Sequence, residues 1–172
     1  RGRPLERSQR RQNDIRRVLT PNPMIYLSQR DIRWAHVKLG SSNLTLGRFG
    51  CVATGISMLS SYFGCHRDPP AIAHNAANFT KDGLVVWTHL DFPCMQFIYR
   101  DYSRVDSIIR RHLAAPDKAV LLQVNNGAHW VVGVRWSPWR GDYLCVDPWD
   151  GKKRWLLKAY HNITGASYFS RK

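Results

Sequence analysis

The sequence predicts an α+β domain, and two groups of observations carry that reading. One long apolar run, Val52 to Phe63, places Val52, Ile56, Leu59 and Phe63 at intervals of four, three and four, the spacing of one buried helix face. Gly64 follows, a residue suited to a left-handed helix stop. Later, Ala119–Val124, His129–Arg135 and Tyr143–Asp147 read as strands. Asn125-Asn126-Gly127 and Ser137-Pro138-Trp139-Arg140-Gly141 are the turns between them.

The remaining elements are coarser. Pro70 to Ala77 looks helical and ends near Asn78, and Leu84–Trp87 suits a short strand or a helix start. Ser103 to Ala114 carries Val105, Ile108, Ile109 and Leu113 at helical spacing, while Leu156–Tyr160 and Ala166–Phe169 look like closing elements. Residues 1–23 form a separate unit, an Arg-rich arm that ends in the hinge-like Pro21-Asn22-Pro23. Residues 24–172 form the domain. At 172 residues and 44% apolar, the chain can bury a sizeable core and is not expected to be disordered.

Cys51 sits at the first turn of the helical run. Unpaired N–H groups and the positive end of the helix dipole favour an anion there, and the thiolate is the reactive form of cysteine. Gly50 is expected to leave room for a substrate backbone. If the last two strands pair about Pro138, His129 falls opposite Asp147, each nine residues from the centre. A carboxylate in that place can hold one imidazole nitrogen and leave the other for Cys51. A bland reading stands beside each residue: a small buried cysteine, a satisfied strand histidine, a strand-end aspartate before Pro148. Their joint placement favours a Cys51, His129, Asp147 triad, with Asp150 as the alternative orienter. Trp130, Trp139 and Trp149 flank these residues. Trp130 and Trp149 are the substrate-groove candidates, and Trp139 a further one.

Four segments resemble one family. Gly47-Arg-Phe-Gly-Cys51 with Thr54-Gly-Ile-Ser-Met-Leu59 and Tyr62-Phe-Gly64 resembles the nucleophile helix of C39-like papain-fold cysteine peptidases. Gly127-Ala-His129-Trp-Val-Val132 resembles the His strand of that family, and Tyr143-Leu-Cys-Val-Asp147-Pro148-Trp-Asp-Gly151 its Asp-Pro element. Ser28-Gln-Arg-Asp31 and Trp34 resemble the opening segment of phage and bacterial members. The similarity spans roughly residues 24 to 170. It implies a papain-like fold, with the Cys51 helix packed on an antiparallel β-sheet that bears His129 and Asp147, and it implies amide-bond hydrolysis. Bacteriocin-processing members carry an oxyanion-hole Gln six residues before the Cys, where this chain has Thr45. The resemblance of the opening segment makes Gln29 the substitute candidate, a residue that could equally cap a turn. The departure at Thr45 argues against leader-peptide processing.

Charge and cysteines bound the partners. The net charge is +14, of which residues 1–20 hold +5 from seven Arg, one Glu and one Asp. An anionic partner is expected: nucleic acid, a cell-wall polymer or an acidic protein surface. The arm reads equally as solvated and without a specific partner. The four cysteines include no Cys-x-x-Cys pair, so neither a metal site nor a cofactor is expected. A Cys65–Cys94 disulfide is possible, and Cys145 reads as core. No run is long and apolar enough for a membrane span, and no signal-peptide pattern is visible. The chain begins at Arg1 without Met, which reads as a processed product or a piece of something longer.

Two functions follow. One is a cysteine peptidase or amidase whose substrate class, by the resemblance, is the peptidoglycan stem peptide. Such a domain would be virion-associated or act at the cell wall. The other is a non-enzymatic virion or nucleoprotein component docked through the basic arm.

Overall fold

The computed structural model describes residues 22–103 and 105–172. Of the expected arm, residues 1–23, residues 1–21 lie outside the described residues. The fold is α+β. Helices α1 (Leu46–Phe49), α2 (Cys51–Phe63), α3 (Pro69–His74), α4 (Asp106–Ala114) and α5 (Leu156–Tyr160) accompany seven strands. The strands are β1 (Asp91–Phe92), β2 (Met95–Asp101), β3 (Lys118–Val124), β4 (His129–Ser137), β5 (Asp142–Asp147), β6 (Lys152–Trp155) and β7 (Gly165–Arg171). They form one sheet in the order β1-β2-β7-β3-β4-β5-β6, with every pairing antiparallel.

Both sheet faces are covered, so β3 reads as a continuous apolar run rather than an alternation. On one face α2 places Val52, Ile56, Leu59 and Phe63 against Leu121, Val132, Val146 and Phe169. On the other, Ile109 of α4 and Leu156 of α5 pack with Val120, Leu122, Val131, Cys145 and Tyr168. Cys145 is core, as expected. Helix α2 is buried on more than its apolar stripe, because the chain before Cys51 covers its outer side. Ile25 N–H donates to Ser61 Oγ (2.9 Å) and Asn22 N–H to the Tyr62 carbonyl (3.1 Å). Gly64 ends the helix at φ 91°, in the left-handed region its sequence position suggests.

Three expectations change. The Pro70–Ala77 helix is shorter, ending at His74 before a separate 3-10 turn, Ala76–Asn78. Leu84–Trp87 forms no strand: Val85 makes only an isolated bridge with Phe79, and of the two readings the helix start holds in part, as a short 3-10 helix from Trp87. The β4–β5 register is also displaced. Ser137 pairs with Asp142, which moves the hairpin centre past Pro138. An irregularity between Gly133 and Arg135 then brings Val132 opposite Val146. Asp147 therefore continues beside Val131, not His129. The displacement is two residues, an even number, so His129 and Asp147 keep a common face.

Cys65 and Cys94 form a disulfide, with Cα atoms 5.7 Å apart and a sequence separation of 29. It ties the chain after α2 to the β1–β2 turn. Closing a loop of that length constrains the unfolded chain by about 3–4 kcal/mol.

Candidate active site

The start of α2, the start of β4 and the end of β5 meet at one end of the sheet. Together they line a cavity of about 440 Å³ with Cys51, His129, Asp147, Gln29, Trp149 and Tyr160 among its walls. Cys51 is half-buried and is the first residue of α2, so its N–H has no intrahelical acceptor. Gly50 serves a different purpose from the one expected. A Cβ there would lie 2.5 Å from the Leu46 carbonyl oxygen and 2.8 Å from Leu46 Cα. Glycine lets α1 turn tightly into α2; the space beside it belongs to Leu46, not to a substrate.

His129 Nε2 lies 2.7 Å from Asp147 Oδ1. That leaves Nδ1 for Cys51, which lines the same cavity and helps to hold the imidazolium. Burial disfavours the imidazolium. The hydrogen bonds with Asp147 and Cys51 outweigh it and hold the His129 pKa at about 9, above the ordinary 6.5.

Asp147 is 3% exposed at its side chain. Burial would raise its pKa, but the hydrogen bonds from His129, the Tyr160 hydroxyl and the Trp149 N–H hold it below the usual range. Trp149 N–H donates to Oδ1 at 2.9 Å, and Tyr160 donates to Oδ2. Asp150 is engaged elsewhere. Both of its carboxylate oxygens accept from Arg154, at 2.7 and 2.8 Å, in a bidentate pair. Arg154 Nη1 also stands 3.4 Å from Asp147 Oδ2. Of the two aspartates, only Asp147 holds the imidazole.

Gln29 is 2% exposed. Its N–H donates to the Pro148 carbonyl (2.7 Å) and its Nε2 to the Gly47 carbonyl (3.2 Å). One residue thus joins the Asp-Pro turn, through its backbone, to the segment leading to Cys51, through its side chain. Its Oε1 has no partner, and Nε2 carries a second hydrogen beyond the one used. Trp149 lines the cavity, 42% exposed, with the Arg30 guanidinium 4.6 Å from its ring. The other tryptophans lie elsewhere. Trp130 is 6% exposed on the α2 face of the sheet and borders a neighbouring cavity. Trp139 is 99% exposed in the β4–β5 turn, at the opposite end of the hairpin from His129 and Asp147.

Sequence reasoning missed Tyr160 and Arg154. Tyr160 reaches Asp147 only because α5 folds back beside β5, and no local pattern signals that. Arg154, four residues after Asp150, carried a weak signal as its charge complement. Among the described residues, no three His, Cys, Asp or Glu side chains gather as metal ligands. No helix among them is long and apolar enough to cross a membrane. Comparison with known protein families, curated proteins and solved structures returns no match.

Proposed function

We propose that this chain is a cysteine hydrolase that cleaves amide bonds, built on a papain-like arrangement of α2 against the sheet. The observation that carries the reading is the gathering of three side chains in one cavity: His129 bonded to Asp147 through Nε2, with Cys51 beside it at the start of α2. The raised pKa of His129 suits an imidazolium that persists beside a thiolate at neutral pH.

In this mechanism the Cys51 proton resides on His129, and the thiolate sulfur attacks the substrate carbonyl carbon. The Cys51 N–H and the spare Gln29 Nε2 hydrogen meet the developing oxyanion. His129 gives its proton to the leaving nitrogen as the C–N bond breaks. Water, deprotonated by His129, then attacks the thioester, and the acid product leaves with Cys51 restored. Asp147 holds the ring throughout, and Tyr160 and the Trp149 N–H hold Asp147.

The substrate class we favour is the peptidoglycan stem peptide. The net positive charge suits an anionic wall, and the Cys65–Cys94 disulfide suits an oxidising compartment. The test is release of new amino termini from purified sacculi and from short peptides, by the parent chain and by Cys51→Ala. Release by the parent alone is expected. Equal release by both, or none by either on any peptide, overturns the hydrolase reading. Salt-sensitive binding to DNA would then favour the structural, arm-docked role.

A further inference from the structure

A second cavity, of about 380 Å³, adjoins the first. Phe49 lines both, Val52 follows Cys51 into it along α2, and Gly127 enters it from the turn that precedes His129. An extended chain with a carbonyl at Cys51 would therefore pass from one cavity into the other over Phe49. The walls of the second cavity include Trp87, Trp130 and Arg100. The guanidinium carbon of Arg100 lies 4.9 Å from the Trp130 ring centroid, 5.3 Å from that of Trp87 and 4.6 Å from that of Tyr102.

Among the described residues, Arg100 has no ion-pair partner: no carboxylate stands within ion-pair distance of it. Other arginines share that, but Arg100 also buries an unpartnered Nε at the wall of a cavity. Aromatic faces offset part of its desolvation but leave its planar donors unmatched. A planar donor fork recognises a planar carboxylate. The two indole faces suit the methylene stem that carries it.

We propose that this cavity is a substrate subsite for a carboxylate, with Arg100 as its anchor and Trp87 and Trp130 as its walls. It rests on the hydrolase reading for its role in cleavage, though not for its ability to bind. Two sources share the chemistry: an acidic side chain near the scissile bond, and the free carboxyl end of a short peptide.

The first experiment compares kcat/KM for peptide pairs that differ by Glu against Gln at each position flanking the scissile bond. Further pairs differ in a free or amidated C-terminus. We expect the parent to favour the carboxylate at one position by about tenfold or more, the worth of a charge-assisted hydrogen bond. Arg100→Gln should collapse that ratio towards one, and Arg100→Lys should keep part of it. A parent that cleaves peptides with no carboxylate preference at any position overturns the subsite. The second experiment needs no catalysis. Tryptophan fluorescence of Cys51→Ala is titrated with acetyl-Glu-amide, acetyl-Gln-amide and acetyl-Gln with a free carboxyl end. Tighter binding of a carboxylate probe that Arg100→Gln removes upholds the subsite, even if no peptide is ever cleaved. Equal binding of all three probes overturns it.

Discussion

Strand β5 begins and ends on a buried aspartate, and the two make opposite use of their charge. Asp142 accepts only from backbone: Tyr143 N–H at 2.6 Å, Leu157 N–H at 2.7 Å and Lys158 N–H at 3.1 Å. It ties the first turn of α5 to the sheet and involves no other side chain in those bonds. Asp147 accepts from the His129 ring and the Tyr160 hydroxyl as well as from one backbone N–H. A carboxylate satisfied by fixed amides is an anchor. One that holds a titratable ring, which in turn meets a thiol, is part of a proton path. The two are also linked, because the helix that Asp142 caps is the helix that carries Tyr160.

The largest expected effect falls on the Asp147 end. Cys51→Ala should lower kcat on peptides by on the order of 10⁴-fold or more, with the fold intact by circular dichroism. Asp147→Asn should lower kcat/KM on the order of 100-fold or more. It should also move the alkaline limb of the pH profile. In the parent that limb is expected near pH 9, where His129 loses its proton. Without the carboxylate, burial dominates and the limb moves down. Retention of the parent limb would separate Asp147 from the proton path.

Asp142→Asn should reverse the pattern. Stability in urea should drop by about 1–3 kcal/mol, while the folded fraction keeps most of its kcat/KM and its alkaline limb. Equal catalytic damage from Asp142→Asn and Asp147→Asn would break the distinction between the two ends.

A smaller effect concerns stability against pH. The His129 pKa is raised on folding, so the stabilisation from its protonated form is complete below about 6.5 and is lost as pH rises through about 9. Urea midpoints should fall across that window in the parent, and less so in Asp147→Asn. Smallest of all, Tyr160→Phe should cost about 0.5–1.5 kcal/mol of stability, the worth of one hydrogen bond.

The two ends of β5 also differed in how far the sequence revealed them. Helix α2 and the three strands around His129 were legible because their apolar spacing is undisturbed, and the order Cys51, His129, Asp147 survives any register. The exact pairing was not, since the irregularity at Gly133 depends on contacts with β3 and α4. A Cβ at Gly133 would meet Val120 at 2.9 Å and Leu113 at 3.0 Å. Strand β6, Lys152-Lys153-Arg154-Trp155, hides its nature because a charged sheet edge lacks an apolar alternation. Strand β2, which carries Arg100, has only a single two-residue strand on its outer side and is partly exposed for the same reason. The insertion of β7 between β2 and β3 is a tertiary fact that local pattern does not encode. Arg100 lies on such a partly exposed strand; Tyr160 ends α5, an element whose residues were legible but whose place beside β5 was not.

The proposed hydrolase requires Cys51 and His129 to form a primed pair. The direct measurement is the rate of iodoacetamide alkylation at Cys51 from about pH 4 to about pH 9, a span that brackets free-thiol reactivity, mapped by peptide mass, in the parent and in His129→Ala. The background is clean: Cys65 and Cys94 are joined, and burial pushes the Cys145 thiol up to about 12. Fast labelling below pH 7 that His129→Ala abolishes is the predicted result. Labelling that rises only near an ordinary thiol pKa of about 8.5, unchanged in His129→Ala, would contradict it.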